Sequence, residues 1–351
     1  MAERLRIAQV APLAMPVVRD ARGSIEQLVW LLTEELVRRG HEVTLFATGD
    51  SETSANLHAA YPHSYREDYK LWDSWEYHEL MHLASAFERA HEFDVIHSHV
   101  YHFAPPLARL VDKPVLHTDH VPQSESVRDC YARYPETNIV ALSRYHREKF
   151  EGMEDVPIIY NGIDTESFPF GEEPGDYLVF LGNLVERKGV VEAIRAAREA
   201  GMRLILAGKG GGEYYESIVE PLIDGESVEH VGRVDVEERN ELLSGAAAML
   251  FTSLRAEPFG LVMVEAMACG TPVVALERCA VPEIVDRGAT GYYVEEADSL
   301  ASIVPKTVAL DRAHCREQAQ KRFDYRRMAD EYETLYRRLA GKEVHGPREL
   351  V

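Results

Sequence analysis

Two glutamates separated by seven residues, Glu257 and Glu265, bracket the window richest in possible chemistry, Glu257-Pro-Phe-Gly-Leu-Val-Met-Val-Glu265. Pro258 and Gly260 mark a turn into a helix whose middle is apolar on every face, and Glu265 is the only charge between Phe259 and Cys269. A lone carboxylate there is costly unless it is paired or hydrogen-bonded. The helix dipole compensates part of that cost. Free backbone amides at the helix start, near Phe259, Gly260 and Leu261, suit a diphosphate. Glu265 could then accept from both vicinal hydroxyls of an adjoining ribose. The plainer alternative is a surface Glu257 and a Glu265 buried against some arginine.

Lys188 stands just before Gly189 and a helix start, a place suited to phosphate. His97, His99 and His102 include alternate strand residues that share a face and could suggest a metal site. We expect no metal there. The four cysteines, Cys130, Cys269, Cys279 and Cys315, form no CxxC pair, which argues against a disulfide framework or a thiolate zinc site. A net charge of −21 disfavours nucleic acid and anionic membrane surfaces as partners. No stretch approaches the roughly 20 apolar residues of a membrane helix, and the N-terminus lacks the apolar core of a signal peptide. The chain reads as cytoplasmic.

These residues need elements to hold them. At 351 residues two domains are the default. Leu5–Val10 reads as a strand, Ile25, Leu28, Val29, Leu32 and Leu36 as one face of a helix stopped by Gly40, and Val43–Thr48 as a second strand. That is a βαβ unit with parallel strands. Further strands are expected at Phe93–His97, Pro114–His117, Ile139–Leu142 and Pro157–Tyr160. Ser51–Tyr77 reads as loop or short helices, and the Pro-, Gly- and Glu-rich run Asp164–Asp176 as an interdomain linker. The pattern then restarts, with strands at Tyr177–Leu181, Arg203–Ala207, Ser227–Val231, Ala248–Phe251, Pro272–Ala275 and Gly291–Val294. A helix near Tyr325–Leu339 closes the chain. The fold class is α/β, two Rossmann-like, doubly wound parallel-sheet domains facing a cleft. Residues 1–165 are expected to form the first domain and 176–323 the second, with a C-terminal helix at 324–341 packing back toward the first.

The stretch EPFGLVMVEAMACGTPVVA resembles the signature of the retaining family 4 glycosyltransferases, which have the GT-B fold. GSIE, LTEELVRRGHEVTLFATGDS, FDVIHSH, YNGID, DYLVFLGNLVERKG and FDYRRMADEYETLYRRL resemble family segments as well, across nearly the whole chain. The resemblance implies that Glu257 bonds hydroxyls of the donor sugar and Glu265 the ribose, while Lys188 holds the diphosphate beside Gly182. It implies that His120, in HTDH, sits over the donor sugar, and that HSH is strand-end packing with no divalent cation or other cofactor required. Two positions depart from the family pattern. Asn183 stands where an arginine is usual, with Arg187 nearby to supply charge. Gly23-Ser24 replaces a pair of glycines in the acceptor or phosphate loop, and Ser24 could cap the following helix.

The implied reaction moves a hexosyl group with retention from a nucleotide-diphosphate sugar to a hydroxyl acceptor. UDP is the favoured nucleotide, then GDP. The acceptor is expected to be small or a neutral glycan. Same-face substitution is the implied route, since no residue stands out as a nucleophile for double displacement. A GT-B hydrolase or epimerase and a non-catalytic nucleotide-binding protein are the alternatives. Oligomeric state is not legible.

Overall fold

The computed structural model describes residues 3–66, 73–153, 155–255 and 257–342. They divide into two compact units, Met1–Gly162 with Tyr325–Val351, and Ile163–Asp324.

In the first unit β1 (Arg6–Val10), β2 (Glu42–Phe46), β3 (Asn56–His58), β4 (Val95–Ser98), β5 (Val115–Thr118) and β6 (Asn138–Val140) form a sheet in the order β3-β2-β1-β4-β5-β6. Every pairing in it is parallel. A parallel sheet is covered on both faces, which is why its inner strands read as unbroken apolar runs. Ile7, Ala8 and Val10 of β1 are fully buried. Helix Ser24–Arg38 buries Leu28, Val29, Leu32 and Leu36. Helix Tyr325–Leu339 belongs to the same unit and buries Met328, Tyr332, Leu335 and Tyr336. Arg39 ties the two helices, donating to Asp330 (2.7 Å) and Glu333 (3.1 Å).

In the second unit β7 (Tyr177–Leu181), β8 (Arg203–Ala207), β9 (Val228–Gly232), β10 (Ala248–Phe251), β11 (Val273–Leu276) and β12 (Gly291–Val294) form a second parallel sheet, in the order β12-β11-β10-β7-β8-β9. Counted from its own first strand, each sheet runs 3-2-1-4-5-6. The order reverses between the first and fourth strands, and the loops at their carboxyl ends are where such sheets bind ligands. Lys188 lies in the loop after β7 and Glu257 in the loop after β10.

Three sequence expectations change. Pro157–Tyr160 is not a strand: among the described residues a single bridge, Ala141 with Ile158, is all that forms. Within Ser51–Tyr77 the structure has the three-residue edge strand β3, too short and too exposed to show an apolar pattern. Residues 67–72 of that stretch lie outside the described residues. The supposed linker is docked into the second unit. Phe168 is buried, the Gly171 amide donates to the Cys269 carbonyl (3.0 Å), and Arg312 donates to the carbonyls of Gly171, Ser244 and Ala246. Among the described residues no helix is long and apolar enough to cross a membrane.

Candidate active site

The loops after β7 and β10 are laced together before any side chain is considered. The Leu254 amide donates to the Arg187 carbonyl (2.9 Å), and Thr252 Oγ1 donates to the carbonyl of Gly189 (2.7 Å). Gly189 has φ of +70°, and a Cβ there would stand 2.0 Å from the Thr252 carbonyl oxygen, so only glycine allows this approach. The lacing delivers Lys188 to Glu257: the ammonium donates to Glu257 Oε1 in a short ion pair, and Ser253 Oγ donates to the same oxygen at 2.9 Å. The Glu257 amide donates to Cys279 Sγ (3.2 Å), fixing the backbone from the far side.

Past this cluster the chain turns at Gly260 into helix Leu261–Ala268, which has no side-chain cap. Phe259 packs inward against Phe323, leaving its backbone at the helix start. Glu265 is buried in that helix, and its charge is met by Arg239 Nη1 at 3.0 Å. The plainer reading of Glu265 as an arginine's partner therefore holds, with a consequence. Among the described residues Arg239 is the carboxylate's only hydrogen-bond partner, and a carboxylate has about four acceptor sites. Most of its capacity is unspent.

Gly182 leaves β7, and a Cβ on Gly208, the residue after β8, would lie 1.9 Å from its carbonyl oxygen. Asn183 and Arg187 are both exposed, and neither side chain has a partner among the described residues. Lys209 is also exposed, and its carbonyl accepts the Leu184 amide at 2.9 Å, beside Asn183.

The first unit differs from expectation at the loop before its first helix. Gly23 is the N-cap, Ser24 is already helical, and no side chain caps the helix. Ser24 does not act as a cap because it is the first helical residue, and the Glu26 carboxyl folds back against Gly23. A Cβ on Gly23 would lie 1.9 Å from Glu26 Oε2. Burial pushes Glu26 up to about 7, against the lowering effect of its backbone hydrogen bonds and the Arg66 charge. Glu79 is fully buried and raised well above its ordinary value, again by burial. Its Oε1 accepts the Leu13 amide (2.9 Å) and its Oε2 has no partner among the described residues.

His120 follows β5, and its Nε2 lies 2.9 Å from His99 Nδ1. Burial drives His120 down to about 3, with Asp119 opposing. His97 is hydrogen-bonded through both ring nitrogens, to Tyr336 and Thr118. His102 is not part of this chain of bonds.

The profile described as "Glycosyl transferases group 1" matches residues 163–322, and the profile "Glycosyltransferase Family 4" matches residues 25–167. The chain belongs to the family 4 glycosyltransferases. A glycogen synthase of Mycobacterium tuberculosis is 26% identical, over 91% of this chain and 92% of its own length. The crystal structure of AviGT4, a glycosyltransferase involved in avilamycin A biosynthesis, matches with a TM-score of 0.72 at 25% identity, covering 97% of this chain and 99% of that one. That of Anabaena HepE in complex with UDP-glucose matches with a TM-score of 0.69 at 19% identity, covering 95% and 99%. The fold of this glycosyltransferase is thus the GT-B type, and its activity is glycosyl transfer.

For this glycosyltransferase the sequence singled out Glu257, Lys188 and Glu265 but passed over the residues that touch them. Ser253 and Arg239 carry no local motif. Lys209 had a visible signal, a Gly-Lys-Gly-Gly-Gly run directly after a strand. Glu26 lay inside a quoted segment, GSIE, yet its fold-back over Gly23 depends on Met15, 11 residues earlier.

Proposed function

We propose that the protein transfers a hexosyl group with retention from UDP-sugar to a hydroxyl of a neutral acceptor, small or glycan. The observation that carries this is the Lys188–Glu257–Ser253 cluster at the strand-order reversal, beside the open start of helix Leu261–Ala268. An ammonium and a sugar-binding carboxylate in contact suit two adjacent groups of one ligand, a phosphate and the hexose it carries. Glu257 would accept from sugar hydroxyls, and Glu265, held by Arg239, from the ribose. Lys188, the exposed Arg187 and the amides at Gly260 and Leu261 would take the charge of the departing diphosphate. No divalent ion or other cofactor is invoked.

In same-face substitution the bond from C1 to the phosphate oxygen lengthens first. The acceptor oxygen then bonds C1 on the side just vacated, and its proton passes to the departing phosphate. This route needs no nucleophile on the opposite face. The UDP-glucose bound by HepE supports UDP over GDP as the donor nucleotide. The Glu26 carboxyl folded against Gly23 and a net charge of −21 favour a neutral acceptor over an anionic one. Cys130, Cys269, Cys279 and Cys315 form no disulfide, which suits a reducing compartment.

A panel of nucleotide sugars, screened first by thermal shift and then for nucleoside diphosphate release, tests the proposal. Release of UDP only when a hydroxyl acceptor is present, with an α-linked product from an α-linked donor, is the expected result. Equal release without acceptor would make it a hydrolase.

A further inference from the structure

The histidines of the first unit are joined into a directed chain of hydrogen bonds that reaches the C-terminal helix. Gln9 of β1 donates from Nε2 to the Tyr336 hydroxyl (2.9 Å), and its Oε1 lies 3.0 Å from His99 Nε2. Tyr336 in turn lies 2.6 Å from His97 Nδ1, and His97 Nε2 lies 2.8 Å from Thr118 Oγ1. Gln9, His97, His99, Thr118 and Tyr336 are all fully buried or nearly so. His97 and His99 are held well below their ordinary value by burial first, and then by neighbouring histidines: His120 and His117 for His97, and His97, His120 and His117 for His99. Both are therefore neutral, and a neutral imidazole has one donor nitrogen and one acceptor nitrogen.

That constraint propagates. The Gln9 oxygen can only accept, so His99 Nε2 carries the proton and His99 Nδ1 is the acceptor. His120 must then donate from Nε2. Its Nδ1 is left as a lone pair, with no partner among the described residues and not sealed from solvent. On the other branch, Tyr336 accepts from Gln9 and so gives its own proton to His97 Nδ1.

We propose that Gln9, His99 and Tyr336 are positioning residues that hold His120 as the Nε2-protonated neutral tautomer, so that it meets a substrate hydroxyl as an acceptor and never as an acid or a cation. The proposal rests on the transferase reading in one respect, that the hydroxyl belongs to a substrate. The C-terminal helix thereby acts on the chemistry through a hydrogen-bond chain as well as through packing. Sequence separations of 327 residues between Gln9 and Tyr336 and 90 between His99 and Gln9 explain why no local motif reveals it.

The test is made on the full chain with 15N-labelled histidine, assigning His120 by its loss in His120→Ala. The two-bond 15N–1H pattern at neutral pH should be that of an Nε2-protonated ring. The Nδ1-protonated pattern would overturn the proposal. Tyr336→Phe and Gln9→Met should each leave His120 as a mixture of tautomers. Each should also lower kcat about tenfold, the worth of one well-placed hydrogen bond, with UDP affinity unchanged. Gln9→Glu keeps an acceptor opposite His99 Nε2 but loses the donation to Tyr336, so it should favour the Nε2-protonated tautomer and retain more of kcat than Gln9→Met. Equal activity of Gln9→Glu and Gln9→Met would overturn the relay. If His120→Ala retained full turnover, the substrate reading of His120 would fail, while the ring pattern would still judge the tautomer.

Discussion

The two sheets share one strand order, but the loops at their reversal points are furnished in opposite ways. After β7 and β10 the ionisable groups are charged and paired, Lys188 with Glu257, and Arg239 with Glu265. In the first unit most are discharged by burial: His97, His99 and His120 are pushed down, Glu26 and Glu79 pushed up, and Asp119, lowered against its burial by His146, is the exception that keeps its charge. The same backbone plan therefore supports a site built from fixed charges and a site built from neutral donors and acceptors. A diphosphate leaving group calls for the first. Hydroxyl groups, which carry no charge to be met, are served by the second. What differs between the halves is how each loop spends its burial: against an opposite charge, or against a proton.

The largest expected effect comes from removing a charge where the site depends on it. Glu257→Gln keeps the side-chain shape but breaks the pair with Lys188 and weakens the sugar contact. Turnover should fall by about 10³-fold or more, the scale of losing a charged group at the reacting centre. UDP affinity by calorimetry should stay within about threefold, since in the proposed site Glu257 meets the sugar and keeps only an indirect link to the diphosphate through Lys188. Near-normal turnover would remove Glu257 from the catalytic set.

Next in size is the second pair, which can be broken or deleted whole. Arg239→Met strands the Glu265 carboxylate in an apolar helix and should cost about 3 kcal/mol of stability, the low end for a buried pair that loses one partner. Adding Glu265→Leu should recover most of that loss, because no charge then remains to be met. UDP binding separates structure from function in this cycle. It should weaken in Glu265→Ala by about 1–3 kcal/mol if the ribose contact is real, and should not return in the stabilised double variant. A double variant with normal UDP affinity would make Glu265 purely structural.

How far these contrasts could be read from sequence follows the range of the interactions. Both sheets were legible because each strand declares itself within five residues of apolar chain, and Arg203–Ala207 and Tyr177–Leu181 were read to the residue. The three residues of β3 gave no such pattern. Glu257, Glu265 and Lys188 were visible as types in a suggestive spacing. Their partners were not: Arg239 meets Glu265 across 26 positions and Lys188 meets Glu257 across 69. Ser24 misled because a serine at a helix start is ordinarily its cap. Here the helix already begins at Ser24, with Gly23 in the capping position and the Glu26 carboxyl folded against it.

The smallest effect tests the neutral half through its dependence on pH. Glu26 is raised from its ordinary 4.5 to about 7, so the folded state holds its proton more tightly than the unfolded chain does. The sign follows by linkage: this contribution is fully present below about pH 4.5 and is lost as pH rises to about 7. A shift of that size corresponds to at most about 3 kcal/mol. The buried histidines pull the other way in part of the same window. They stay neutral in the folded state while the unfolded chain protonates below about pH 6.5. The raw stability profile of the protein is therefore a poor readout, and the difference between two proteins is a good one. Glu26→Gln leaves the histidine contribution in place and removes the carboxyl. Measured by urea denaturation, the variant should gain about 2–3 kcal/mol relative to the parent between pH 5 and pH 8. Glu79, raised in the same direction, remains in both and cancels. A difference that stays flat across that window would mean Glu26 is ionised in the folded state, and the first unit would then present an anion where this comparison requires a neutral group.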